Sequence, residues 1–205
     1  MQRLLRYALA ALSGGAVALQ LRFKSVPLGD SGRAQIAKTL VQALPRDLKV
    51  IVDDDIAAAA YAGCGVHLGQ TDAPVNDARL ALGPEALIGW STHHLQQVEI
   101  AQAMAASYLG FGPVRPTESK ALADAVTGWA QLNDACRTSA IPVVAIGGLQ
   151  AQDAVTARAC GAWAMAVIGA WLGPADNPWP PEQAAAAMAV LVHDWALAQY
   201  VQRTL

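Results

Sequence analysis

With 205 residues, 54% of them hydrophobic and 15% charged, the chain can build a large buried core and lacks the composition of a disordered protein. A formal charge of −2 gives no basic footprint for nucleic acid, so any positive site has to be local. Cys64, Cys136 and Cys160 are odd in number, widely spaced and without metal-ligand spacing, which predicts three reduced, buried thiols and a cytoplasmic protein.

The opening stretch MQRLLRYALAALSGGAVALQLRFKS has the outline of a secretory signal: two arginines, an apolar run, then small residues. Its detail reads otherwise. Leu4, Leu5, Ala8, Leu9 and Leu12 recur at helical spacing, Ser13-Gly14-Gly15 stops the run, and VALQLRFK alternates like a strand. Helix, glycine stop and strand then form a retained first piece of the fold. No apolar run reaches the ~18 residues of a membrane span, so no membrane is expected as a partner.

The same grammar continues along the chain. Strand-like runs fall at 16–24, 48–54, 63–70, 86–93, 107–114, 141–148 and 162–170. Ala-rich helical segments fall between them at 33–44, 55–62, 75–82, 95–106, 121–138 and 150–160. Alternating strands and helices imply a parallel sheet with crossover helices, and the strands are as apolar as sheets covered on both faces require. The last stretch, 181–203, is one long helix with Pro181 in its first turn and Met188, Leu191, Val192 and Trp195 as its apolar stripe. We read 1–205 as one domain ending in that helix. Trp163, Trp171 and Trp179 are expected to pack rather than to stack on a ligand.

An open doubly wound sheet and a (β/α)8 barrel both fit this order. Polar residues at nearly every strand's C-terminal end favour the barrel, in which all those ends converge on one mouth. The count is seven strands where such a barrel has eight, and the chain starts with a helix. The fold expected is therefore an α/β barrel lacking its first strand. Its exposed strand edges would need cover, from the long helix or from a partner such as a second copy in a homo-oligomer.

The mouth gathers Arg22, Lys24 and Lys120 as cations, Asp54 and Asp72 as hard oxygen ligands, and Ser91, Thr117 and Ser119 as hydroxyls. Gly147-Gly148 and Ile168-Gly169 add backbone N–H groups. Cations, hydroxyls and N–H groups bind phosphate, and paired carboxylates beside phosphate point to Mg²⁺. Taken alone, Asp54 and Asp72 also fit solvated loop carboxylates or helix N-caps, and Arg22 and Lys24 fit surface cations. His67, in mid-strand, reads as a satisfied core histidine.

QLRFK (20–24), VDDD (52–55), GVHLGQTD (65–72), GWSTH (89–93), GFGPVRPTESK (110–120) and VVAIGG (143–148) together resemble the motifs of the thiamine-phosphate synthase family, in its order and spacing, over about residues 14–170. The resemblance implies a (β/α)8 barrel and a Mg-dependent transferase that joins a hydroxymethylpyrimidine diphosphate to a thiazole phosphate, releasing pyrophosphate. It implies that Gln20, Arg22 and Lys24 hold the pyrimidine diphosphate, that Asp54 and Asp72 bind Mg²⁺, and that Ser91 and Lys120 contact the pyrophosphate. Arg22, Lys24, Lys120 and Ser91 would then carry the chemistry by stabilising the leaving group. Thr117, Ser119, Gly148, Ile168 and Gly169 would hold the thiazole phosphate.

The chain departs from the family pattern at three places. The family usually reads Asn-Asp-Arg where Asp53-Asp54-Asp55 stands, which sets a carboxylate at the phosphate-facing Asp53. Phe23 stands where glutamate is usual, and the first strand is missing. These changes imply weakened activity. Two alternatives stay open: a thiazole tautomerase-like isomerase using His93 of the Ser-x-His triplet, and a non-catalytic barrel that binds a phosphate ligand.

Overall fold

The computed structural model describes residues 1–23, 29–117 and 125–203, with side chains as far as residue 196. Among the described residues, seven strands form one parallel sheet: β1 (Ala18–Leu21), β2 (Lys49–Asp53), β3 (Gly65–Leu68), β4 (Ile88–Thr92), β5 (Tyr108–Phe111), β6 (Val143–Ala145) and β7 (Ala164–Met165). Their order is β1-β2-β3-β4-β5-β6-β7, each strand pairing in parallel with the next. A doubly wound sheet reverses direction at a switch point. This one never reverses, which is the progression of a barrel, and the seven strands are those of a barrel without its first.

Helices cover the outside: α1 (Gln2–Ser13) before β1, then α2 (Asp30–Ala43), α3 (Ile56–Ala62), α4 (Val75–Leu82), α5 (Leu95–Ala103), α6 (Gly128–Thr138) and α7 (Ala154–Ala159) between strands. A four-residue helix, α8 (Gly169–Leu172), follows β7 and occupies the end of the segment read as strand, and α9 (Pro181–Arg203) ends the fold. The outward strand residues Val52, Val66, Leu68, Ile88, Leu109 and Phe111 are buried against the helices' alanines, such as Ala37, Ala58, Ala78, Ala101 and Ala135. Small residues let helix axes approach the sheet closely, which explains the alanine content.

The seam between β1 and β7 is where a closing strand would lie. Among the described residues, β1 pairs only with β2 and β7 only with β6. A second apolar cluster spans the seam: Ala11 of α1, Trp171 of α8, and Ala184, Met188 and Leu191 of α9, with Leu19 of β1 and Met165 of β7 packed on it. The long helix thus supplies the cover. Gly14 and Gly15 permit its approach, since a Cβ on Gly14 would lie 2.6 Å from Met188 Cβ and Gly15 sits at φ +92°. The Tyr7 hydroxyl donates to Trp179 O at 2.6 Å, tying α1 to the entry of α9. The buried face of α1 is accordingly Ala8, Ala10 and Ala11, while Leu4 and Leu9 of the expected leucine stripe stay exposed. Trp171 and Trp179 pack as expected; Trp163 is largely exposed.

All three cysteines are free thiols and half-buried rather than fully enclosed. Burial pushes the Cys64 and Cys136 thiols up to about 11, with Cys160 adding to the effect at Cys136. At pH 8 a group with such a pKa is about one-thousandth thiolate, against about a quarter for an ordinary cysteine. Native protein mixed with a disulfide reagent at pH 8 should therefore label Cys64 and Cys136 on the order of 100-fold more slowly than unfolded protein. Equal rates in the two states would show that these thiols are not held in an apolar setting.

Candidate active site

The C-terminal ends of the strands carry the polar groups. Gln20 lies in β1 and Arg22 one residue past its end; Gln20 is exposed and Arg22 half-buried. Arg22 Nη1 donates to Asp53 Oδ2 at 2.5 Å, and the Asp53 side chain is only 6% exposed. The carboxylate that departs from the family's usual amide thus sits in an ion pair with the arginine read as a phosphate ligand.

Asp54 follows with φ +64°, a left-handed conformation that Asp tolerates better than most residues. Its N–H donates to His67 O at 2.8 Å, and the Asp55 N–H donates back to Asp53 O at 2.9 Å. This turn holds Asp54 at the end of β2. Asp55 does structural work: it caps α3 by accepting from the Ala58 N–H at 2.9 Å and takes a 2.9 Å bond from Arg33 Nε of α2. The hydrogen bond to Asp55 is the main reason the Arg33 pKa is raised.

After β3, Asp72 Oδ2 accepts from the Gly69 N–H at 2.6 Å, closing a tight turn. Gln70 Nε2 donates to Ser91 O at 2.5 Å and Trp90 Nε1 donates to Gly69 O at 3.2 Å, so the turn is fastened to β4. Asp54 and Asp72 therefore stand at the ends of adjacent strands. Their donor chemistry suits Mg²⁺, which takes one or two carboxylates and completes its shell with water and substrate oxygens. Among the described residues no cluster of three or more His, Cys, Asp or Glu side chains offers a dedicated all-protein metal cage.

Ser91 lies near the end of β4, buried, with Oγ 2.9 Å from His67 Nε2. His67 Nδ1 is 2.9 Å from the Tyr108 hydroxyl, so the imidazole is the satisfied core histidine expected of it. His93 Nδ1 donates to Gly112 O at 2.5 Å, and its N–H is bound by Gln97 Oε1 at 2.7 Å, which fixes the ring against the backbone.

The loop after β5 is pinned to the Gly147-Gly148 turn. The Val114 N–H donates to Ile146 O at 2.9 Å and the Arg115 N–H to Gly147 O at 3.1 Å. Gly148 stands at φ +68°, and a Cβ there would lie 2.3 Å from Pro116 O, so only glycine fits. This brings Thr117, half-buried, to the side of Gly148 on the rim. Ile168, 48% exposed, and Gly169 open α8 after the neighbouring β7. Lys24, Ser119 and Lys120 lie outside the described residues.

Two contributors escaped the sequence reading. Tyr108 was hidden at the start of an apolar strand. Arg115 Nε and Nη2 both donate to Oδ1 of buried Asp153, at 3.0 and 2.6 Å, bracing the loop after β5 against the turn after β6. Asp153 also belongs to a capping box with Gln150, the one local signal that pointed to it.

A sequentially wound parallel barrel, with its polar groups gathered on the C-terminal rim of the strands, defines a (β/α)-barrel enzyme. The model of the thiamine monophosphate synthase family matches residues 1–171. A thiamine-phosphate synthase of Anaeromyxobacter dehalogenans is 43% identical over 182 residues, 88% of this chain and 79% of that protein. One from Thiobacillus denitrificans is 40% identical over 179 residues, covering 85% and 83%. A solved structure of thiamine phosphate pyrophosphorylase from Pyrococcus furiosus superposes with a TM-score of 0.81 at 32% identity, over 95% of this chain and 90% of that one. The chain belongs to the thiamine monophosphate synthase family.

Proposed function

We propose that the chain joins a hydroxymethylpyrimidine diphosphate to a thiazole phosphate, forming thiamine phosphate and pyrophosphate. In this reaction the thiazole nitrogen gains a bond to the pyrimidine methylene carbon. The carbon–oxygen bond to the diphosphate breaks, and its electron pair leaves with pyrophosphate. No general acid, base or covalent nucleophile is needed, so catalysis rests on stabilising the leaving group.

The observation that carries this reading is the continuity of the rim. Arg22 meets Asp53, the Asp54 N–H meets β3, Gln70 meets β4, and His67 holds Ser91, so the expected phosphate and metal groups of four adjacent strands are fastened to one another. Arg22 and Ser91 would hold the diphosphate, joined by Lys24 and Lys120. Gln20 would lie beside the pyrimidine. Thr117, Gly148, Ile168 and Gly169, with Ser119, would hold the thiazole phosphate. Asp54 and Asp72 would hold Mg²⁺, which when bound supplies positive charge to the departing pyrophosphate. The Asp53 carboxylate neutralises part of Arg22 and faces the same anion, which supports an affinity for the diphosphate below that of a chain with the amide.

Isothermal calorimetry tests the division of labour. Pyrophosphate should bind only when Mg²⁺ is present, and thiazole phosphate should bind with or without it. Equal pyrophosphate binding in chelator would contradict the metal role. The absence of any binding by the pyrimidine diphosphate would favour the non-catalytic phosphate-binding barrel.

A further inference from the structure

The strand register sets a line of polar groups across the barrel. Asp53 of β2 is level with His67 of β3, His67 with Gly89 of β4, and Gly89 with Tyr108 of β5. Level residues on neighbouring parallel strands point to the same face. Gly89 is the gap in the line: a Cβ there would lie 2.1 Å from Tyr108 Cζ and 2.4 Å from His67 Nδ1. Its missing side chain is what lets the phenol of β5 reach the imidazole of β3 across an intervening strand. Gly110 gives room in the same way, since its Cβ would stand 3.1 Å from His67 Cε1.

The proton positions in this line are not arbitrary. His67 is buried with both ring nitrogens engaged, Nδ1 at 2.9 Å from the Tyr108 hydroxyl and Nε2 at 2.9 Å from Ser91 Oγ. Two arrangements satisfy a neutral imidazole. In one, Tyr108 donates to Nδ1, Nε2–H donates to Ser91, and Ser91 keeps its own hydrogen for the mouth. In the other, Ser91 donates to Nε2 and Nδ1–H donates to Tyr108, which must then find a second acceptor for its hydrogen. Among the described residues, the one acceptor offered to the Tyr108 hydroxyl is His67 Nδ1. Burial and the nearby Asp53 charge also keep the phenol protonated, with its pKa raised well above the ordinary tyrosine value. A buried hydroxyl without an acceptor is costly, so the first arrangement is favoured.

We propose that Tyr108, acting through His67, fixes the Ser91 hydroxyl as a hydrogen-bond donor to the leaving pyrophosphate, which makes His67 and Tyr108 positioning residues of the site. The inference rests on the reading of the rim as a pyrophosphate site. A serine free to rotate presents either its hydrogen or its lone pairs to an incoming anion. A serine whose oxygen already accepts from His67 presents its hydrogen. Preorganised donors of this kind need no reorientation when charge develops on the leaving group.

Two measurements test it. The first is the ¹⁵N long-range NMR correlation pattern of His67 in ligand-free protein, which distinguishes the ring tautomers. The wild type should show Nε2–H, and Tyr108→Phe, which removes one oxygen and keeps the ring, should shift the population toward Nδ1–H. A wild-type Nδ1–H tautomer overturns the proposal. The second is pyrophosphate affinity in Mg²⁺ by calorimetry. Tyr108→Phe should weaken binding by about 5- to 10-fold and Ser91→Ala by at least as much, with the double variant no weaker than Ser91→Ala alone. Additive losses would overturn the relay while leaving the pyrophosphate site standing. A wild type that binds no pyrophosphate in Mg²⁺ would overturn the site reading itself, and the donor role of Ser91 with it.

Discussion

Asp72→Asn is expected to lower kcat by about 100- to 1,000-fold while leaving the fold intact, because the two roles of this carboxylate separate at the amide. Its Oδ2 accepts the Gly69 N–H at 2.6 Å, a bond that an amide oxygen can also accept. The turn after β3, held to β4 by Gln70 and Trp90, should therefore survive. What the amide lacks is the negative charge that the proposed Mg²⁺ would need, and in the proposed reaction that cation would supply several kcal/mol of leaving-group stabilisation. Asp72→Ala should lose the same activity and also loosen the turn. Steady-state kinetics across a Mg²⁺ titration, beside a thermal melt, check both parts. Near wild-type kcat for Asp72→Asn at saturating Mg²⁺ would show that the carboxylate is only a turn cap.

Asp53→Asn is expected to act in two directions at once. The present carboxylate holds Arg22 at 2.5 Å and is nearly buried, with Arg22 itself 28% exposed. Removing the charge leaves a half-buried guanidinium with a weaker partner, at a cost of about 1–3 kcal/mol, less than for a fully enclosed pair. For a chain of this size the melting temperature should fall by roughly 3–10 °C. The same change removes a negative charge that would face the proposed diphosphate, and it would release Arg22 toward that anion. Pyrophosphate should then bind about 5- to 20-fold more tightly in Mg²⁺, the fold-change of about 1–2 kcal/mol of relieved repulsion. Lower stability with higher affinity is the signature of a site in which Asp53 competes with substrate for Arg22. Weaker binding would mean instead that the carboxylate orients Arg22 for the ligand.

Most of the rim could be read from the sequence because a barrel places its chemistry at one end of every strand. Arg22, Asp54, Asp72, Ser91 and Gly148 each follow or end an apolar run, so strand positions alone gathered them. The line from Asp53 to Tyr108 was not legible, because it depends on register: whether His67 faces Tyr108 across Gly89 is decided by pairing, which a linear sequence does not display. His67 itself was read correctly as a satisfied core histidine, but its partners could not be named.

The closure of the seam was half legible. The sequence showed seven strands and a long final helix, and of the stripe read on the first helix Leu5, Ala8 and Leu12 pack on the core while Leu4 and Leu9 stay exposed. The contacts across the seam are made by the small residues Ala11 and Gly14, whose low hydrophobic signal hides how much they touch. β7 shrank to two residues for a related reason: the run read as strand turns into α8 at Gly169, where it packs Trp171 into the seam. Asp53 was legible as a departure and not as an ion pair, since its partner stands on another strand.

The measurement that bears most directly on the central claim is product formation. Purified protein is mixed with hydroxymethylpyrimidine diphosphate, thiazole phosphate and Mg²⁺, and thiamine phosphate is read by fluorescence after oxidation. Product is expected that requires both substrates and the metal and that is lost in Asp72→Asn. Folded, soluble protein that binds both phosphorylated substrates and yields no thiamine phosphate would rule out the synthase reaction.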